Sequence, residues 1–168
     1  YTYVSYEVLT DNVVPVTKTE QKNVTRPYND ETVKIGKTFY DYQNKETQEK
    51  SIIYYENTYI QNSGVDYVSD TTFKVNAIAE GEVLSVTKDD ITGTTVKIKH
   101  SDKIIAVYQS VKDVLVKEKD KVTEGQTIAS SGTNEISSDL GNHLHFELYN
   151  NNKLIDPEKY FNDAMKEY

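Results

Sequence analysis

Between Phe73 and Tyr149 the chain is divided into runs of six to nine residues with apolar side chains mostly at alternating positions: FKVNAIA, GEVLSVTKD, TTVKIKH, KIIAVYQS, GQTIAS and LHFELY. Such runs are too short for helices that bury a face, and a two-residue period puts the apolar side chains of a strand on one side. Turn chemistry separates them at Glu80-Gly81, Asp89-Asp90, Thr92-Gly93, Ser101-Asp102 and Ser131-Gly132. The choice of residues agrees, since 18 Val, 12 Ile and 18 Thr stand against 7 Leu and 5 Ala, and β-branching favours the pleated sheet. The expected fold is therefore mainly β, an antiparallel sheet folded on itself as a sandwich or open barrel.

Outside this region the pattern changes. Residues 1–50 are polar, with the loop-like stretches TKTEQKN and NKETQEK, and read as an extended N-terminal arm packed on, or leading to, a β domain spanning 51–168. Within the arm, RPYNDETVKIGKTFYDY predicts one short strand with Val33, Ile35 and Phe39 on one face. At the other end, Asp156-Pro157 opens a short C-terminal helix carrying Tyr160, Phe161, Ala164 and Met165 at helical spacing.

Charge and composition exclude several functions. The chain carries 19 Lys plus Arg against 27 Asp plus Glu, a net charge of −8 with Arg26 the only arginine, so it lacks the positive face that phosphate contacts require and is not expected to bind nucleic acid. With no cysteine there is no disulfide framework, thiolate nucleophile or Cys-ligated metal. No glycine-rich phosphate loop is present. No apolar run approaches the roughly 20 residues of a membrane span, so any contact with a membrane is expected only through an anchor outside this chain.

Two of the three histidines, His143 and His145, flank Leu144 in HLHFEL. On a strand, residues two apart share a face, so two imidazoles come together, an arrangement that binds a metal or pairs a proton donor with a ligand. Neutral histidines hydrogen-bonded in a core are the plainer alternative. His100, at the end of VKIKH, reads as a solvated strand-end residue.

The ordered run from GEVLSV through GNHLHFE to Asp156-Pro157 and KYF resembles the core of the LytM or lysostaphin-type zinc endopeptidases, which cleave peptidoglycan cross-links. The resemblance covers roughly residues 60–161. In that family zinc is held by an HxxxD pair and by the second histidine of HxH, while the first histidine of HxH and one in a Tyr-x-His motif act on substrate and water. Carried onto this chain, HxxxD reads NSGVD: Asn62 stands at the lost histidine ligand, with Asp66 and His145 as relic ligands. Tyr-x-His reads Tyr108-Gln109-Ser110, so Ser110 replaces a catalytic imidazole and His143 is the relic of the pair. A neutral amide is a poor zinc donor, and two good ligands are too few for a catalytic site. Serine relays no proton at neutral pH, which removes a further factor of roughly 10²–10⁴. The implied state is a catalytically degenerate homologue with no cofactor expected, zinc binding being weak at most.

Upstream, RPY, FYDY and the run from Glu49 to Tyr59 are similar to the sporulation branch of that family, membrane-anchored proteins made by the forespore. The resemblance implies a partner-binding module that engages stage III sporulation protein AH in a channel or adhesion complex, at the extracytoplasmic face of the forespore membrane between forespore and mother cell. Alternatives are a weakly active zinc endopeptidase and a non-cleaving binder of peptidoglycan. The partner-binding face is left open by the sequence; the stretches Thr94 to His100 and Lys103 to Ser110 are candidate sheet edges.

Overall fold

A computed structural model describes residues 24–164. The strands are β1 (Lys34–Lys37), β2 (Ile52–Tyr55), β3 (Thr58–Gln61), β4 (Val65–Val68), β5 (Lys74–Asn76), β6 (Gly81–Asp89), β7 (Gly93–Lys99), β8 (Ile104–Lys112), β9 (Lys121–Val122), β10 (Thr127–Ser131), β11 (His143–Asn150) and β12 (Lys153–Ile155), with helices α1 (Lys45–Gln48) and α2 (Pro157–Ala164). Ten of the strands form one antiparallel sheet, ordered β9-β6-β7-β8-β11-β4-β1, with β12 beside β11. Strand β10 pairs with β5 and, through Ser130 and Ser131, with β8. That double pairing folds the sheet over and encloses the core.

Alternation along β11 decides which face becomes the site. Leu144, Phe146 and Leu148 are fully buried against Tyr108, Ile98, Val65 and Phe161, and Phe146 stacks on Phe161 at 5.7 Å. Burying such side chains contributes about 1.5–3 kcal/mol each. His143, His145, Glu147 and Tyr149 are thereby turned to the other face. Helix α2 begins where Asp156 Oδ1 caps the Glu158 amide at 3.0 Å, and it covers the core with Phe161. Met165 lies outside the described residues, as do the stretches before Val24.

The arm adds to the sheet. Thr25 N donates to Ile78 O, and Asn76 N to Pro27 O. Arg26 reaches Glu158 on α2 at 2.6 Å, and Tyr67 donates to the same carboxylate at 2.5 Å, so one acid ties Arg26 of the arm and α2 to β4. Val33 and Phe39 pack on the core, whereas Ile35 is 44% exposed, contrary to the expectation that all three share a face. Val33 precedes β1, and a register shift between Ile35 and Lys37 separates the face of Ile35 from that of Phe39; Gly36 lies against Val68. A Cβ on Gly36 would lie 2.6 Å from that side chain.

The expected sheet edges are also corrected. Strands β7 and β8 are interior, each paired on both sides. Two-residue turns with positive φ at Glu56-Asn57 and Asn151-Asn152 close the hairpins β2-β3 and β11-β12.

Candidate functional site

The residues singled out from the sequence meet on the outer face of β11 and β4, whose register sets His145 opposite Asp66 and His143 opposite Val68. His145 Nδ1 lies 2.9 Å from Asp66 Oδ1, and its Nε2 lies 2.9 Å from Glu147 Oε2. Since carboxylates only accept, both ring nitrogens donate and His145 is an imidazolium. Burial alone would lower its pKa, but the hydrogen bonds and charges of Asp66, then of Glu147, raise it to about 10. Burial pushes Glu147 the other way, and its bond to His145 overrides this to hold the carboxyl below its ordinary value. Ser63 Oγ also donates to Glu147.

Asn62 completes the cluster with the wrong polarity for a ligand. Its Nδ2 donates to Asp66 Oδ2 at 3.1 Å and to Thr38 O at 3.0 Å. Both oxygens of Asp66 are thus occupied by N–H groups. Asn62 Oδ1, buried, has no hydrogen-bond partner among the described residues.

These contacts do not fit a zinc ion. A tetrahedral site needs three donors converging on one point with their lone pairs free. Here Asp66 and Glu147 sit on opposite sides of the His145 ring, the Nδ1 lone pair is taken up by a proton, and Asn62 turns N–H toward the carboxylate. Among the described residues no group of three or more His, Cys, Asp or Glu side chains is arranged to hold a metal.

His143 is fully buried. Its Nδ1 lies 2.9 Å from Gly141 O, and a carbonyl only accepts, so Nδ1 carries the proton and Nε2 is a bare acceptor without a partner among the described residues. Burial, the leading effect, lowers its pKa. Ser110 occupies an irregularity of β8: Thr94 pairs with Val111 and Thr95 with Gln109, leaving Ser110 as the extra residue of a bulge with φ +69. Its Oγ is buried and also has no partner among the described residues. A φ in this region costs a non-glycine residue energy, and such strain concentrates at functional sites.

His100 is not part of this cluster, and it is half-buried and hydrogen-bonded rather than free in solvent. It sits at the turn end of the β7-β8 hairpin, with Nδ1 2.9 Å from Glu80 O and Nε2 3.0 Å from the Tyr108 hydroxyl. Sequence reasoning missed Glu147 and Ser63. The strand period was sufficient to find Glu147, two residues beyond His145 on the same face; Ser63 has no comparable signal.

Comparison with known proteins accounts for this sheet. The model of peptidase family M23 matches residues 60–157. Stage II sporulation protein Q of Bacillus subtilis (strain 168) is 37% identical over 151 residues, 88% of this chain and 53% of that protein, and stage IV sporulation protein FA of the same organism is 32% identical over 90 residues, 54% and 33%. The chain thus spans about half the length, or less, of these curated relatives. Among solved structures, the SpoIIQ-SpoIIIAH pore forming complex contains a chain that superposes with a TM-score of 0.79 at 36% identity, covering 83% of this chain and 91% of that one. Because the M23 match takes in more than half of the residues, including the strands that carry Asp66, Ser110, His143 and His145, the chain belongs to peptidase family M23.

Proposed function

We propose that this chain is a catalytically degenerate M23 domain acting as a partner-binding module in sporulation. In this reading residues 51–168 form the working unit and 1–50 its arm. Asp66 and His145 are what is left of a zinc ligand set, His143 and Ser110 what is left of the groups that act on substrate. The observation that carries it is the His145 imidazolium closed between Asp66 and Glu147: a proton stands in the charge role of a metal ion, and no water is acidified. The partner is an extracellular domain of the SpoIIIAH type, supported by the likeness to chains solved in complex with SpoIIIAH. Its place is the extracytoplasmic face of the forespore membrane, in the space facing the mother cell. No helix among the described residues is long and apolar enough to cross a membrane.

A second reading, a non-cleaving binder of peptidoglycan, is favoured by one observation. Asn62 Oδ1, His143 Nε2 and Ser110 Oγ are buried polar atoms without partners among the described residues, and such atoms cost free energy unless something pairs with them. One experiment separates the readings. The purified chain is titrated by calorimetry against the SpoIIIAH-type extracellular domain of the same organism, and incubated in parallel with purified peptidoglycan with and without zinc. Saturable protein binding, with no release of wall fragments and no sedimentation with the wall, is expected. Zinc-dependent release of fragments, lost in His145→Ala, overturns the proposal in favour of an active endopeptidase. Wall binding without protein binding selects the second reading.

A further inference from the structure

The loop at 132–142 is closed at its base, where Gly132 and His143 exchange backbone hydrogen bonds of 3.1 and 2.8 Å. Its two flanks are held differently. On one, Glu135 N and Ile136 N both donate to Ile91 O, and Asn134 Nδ2 donates to Thr92 O, each at 3.0 Å. These bonds set the loop beside Ser110: a Cβ on Gly93 would lie 3.4 Å from both Asn134 Cβ and Ser110 Cα. On the other flank no backbone bond joins 133–141 to β1 or to the β2-β3 hairpin among the described residues. Two side-chain contacts do so instead. The Tyr55 hydroxyl donates to Glu135 Oε2 at 2.7 Å, and Lys37 Nζ lies 3.8 Å from Asp139 Oδ2.

Both contacts start from the side of the relic site that carries Asn62 and Asp66. Lys37 is the register partner of Asp66, and cross-strand partners share a face, so its side chain leaves β1 on the face that holds Asp66 and His145. Tyr55 belongs to a hairpin that pairs with no strand of the main sheet and runs through Gln61 directly into Asn62, whose N–H closes the hairpin base on Ser51 O at 2.9 Å. Both contacts end on the loop that lies beside Ser110 and leads into His143. Asn62, Ser110 and His143 are at most 1% exposed, although Asn62 Oδ1, Ser110 Oγ and His143 Nε2 have no partner among the described residues. Hydrogen-bonding capacity buried in this way is available as soon as the cover over it moves.

We infer that Tyr55–Glu135 and Lys37–Asp139 are two straps that hold the free flank of the 132–142 loop down and keep the relic site closed, and that Asn62, Ser110 and His143 become accessible when the straps release. The inference goes beyond the partner-binding reading and does not depend on it. Both straps are made at the surface, since Glu135 is exposed and the Asp139 side chain is 68% exposed. Solvent-facing contacts of this kind each contribute little, and the ionic one weakens with salt. Closure is therefore easily reversed, unlike the packing of the core beneath it. A group entering the open site meets acceptors at Asn62 Oδ1 and His143 Nε2 and a hydroxyl at Ser110, which suits a ligand bearing N–H donors, such as a peptide amide.

The test is modification of the wild-type chain and its variants by diethylpyrocarbonate near neutral pH, which needs an accessible, unprotonated ring nitrogen, with mass spectrometry to separate His143 from His100. Hydrogen–deuterium exchange on the same proteins follows the loop. In the wild-type chain His143 is expected to react at least roughly tenfold more slowly than in the urea-denatured chain, because reaction must wait for local opening. Its rate should rise roughly twofold to fivefold in each of Tyr55→Phe and Asp139→Asn, the range expected for one exposed contact, and further in the double variant. Amides within 133–141 should exchange faster in the same variants, and those of β7 should not. Glu135→Gln keeps an acceptor for Tyr55 and should fall between wild type and Glu135→Ala. Wild-type His143 reacting as fast as in the denatured chain means that the site is open, and overturns the inference. Wild-type rates at His143 and at 133–141 in the double variant overturn it too, since the two contacts then fasten nothing. An equal rise at His100 and in the β7 amides marks general destabilisation rather than release of a strap, and counts against it in the same way.

Discussion

Asp66 Oδ1 and His145 Nδ1 are 2.9 Å apart with a proton between them, and Asn62 holds the other oxygen of the same carboxylate at 3.1 Å. One substitution therefore bears on all three. Asn62→His removes the amide donor, returns an oxygen of Asp66, and supplies an imidazole. Zinc affinity is expected to rise by orders of magnitude, because the ion then competes for three donors rather than two. Calorimetric titration of the two proteins with zinc measures it; equal affinities would show that Asn62 does not occupy a ligand position.

Removal of the imidazolium leaves the buried Asp66 without its counter-charge and Glu147 with only the charge of Lys97 beside it. His145→Ala should lose about 3–5 kcal/mol, the usual cost of breaking a buried ion pair from one side. His143→Ala deletes a ring with a single hydrogen bond and should cost less. Urea denaturation at neutral pH gives both values, and a smaller loss for His145→Ala than for His143→Ala would contradict the charge assignment.

Glu158 joins three parts of the chain, accepting from Arg26 of the arm and from Tyr67 of β4 while it belongs to α2. Glu158→Ala strands the buried Tyr67 hydroxyl as well as releasing the arm. A destabilisation of about 1–3 kcal/mol follows from the lost charge-assisted bonds, with faster proteolysis between Arg26 and Phe39. Glu158→Gln keeps an acceptor oxygen and should recover part of the stability. If proteolysis of the arm is unchanged in both variants, the arm is held by its backbone contacts alone.

The main sheet was legible because its strands carry their period openly: GEVLSVTKD, TTVKIKH, KIIAVYQS and LHFELY lie on observed strands, and FKVNAIA contains the short strand Lys74–Asn76. What escaped were features fixed by pairing rather than by pattern. Strand edges depend on sheet order, and Thr94 to His100 has the same alternation whether it lies inside a sheet or at its rim. Ile35 and Phe39 were placed on one face because the one-residue shift between Ile35 and Lys37, which reverses every face after it, leaves no mark in the sequence. At the site, the resemblance marked the positions Asn62, Asp66, Ser110, His143 and His145. That Asn62 donates to Asp66 rather than facing a metal is set by Thr38 O, an arm carbonyl whose proximity no local pattern encodes.

His100 shows how such a long-range contact turns into a pH dependence. Glu80 O only accepts, so Nδ1 of the neutral ring holds the proton, and Nε2 accepts from the Tyr108 hydroxyl at 3.0 Å. That hydroxyl oxygen in turn accepts from Ile78 N at 3.0 Å. Protonating Nε2 sets two donors against each other, and turning the Tyr108 proton away leaves it unpaired in the core. Burial is the leading cause of the lowered His100 pKa, only partly opposed by the Glu80 and Ala79 carbonyls. In the unfolded chain the ring titrates near 6.5. The folded state therefore binds fewer protons in this range, and the contribution of His100 is complete above about pH 6.5 and lost as pH falls through the lowered folded value. His100→Gln should cost about 1–2 kcal/mol at pH 7.5 through imperfect replacement of the two bonds, and the gap to wild type should narrow steadily toward pH 5. Comparing the two proteins cancels His143, which is depressed in the same direction and present in both. Urea denaturation at half-unit steps of pH decides it: parallel stability curves would mean that His100 takes up its proton without disturbing Tyr108.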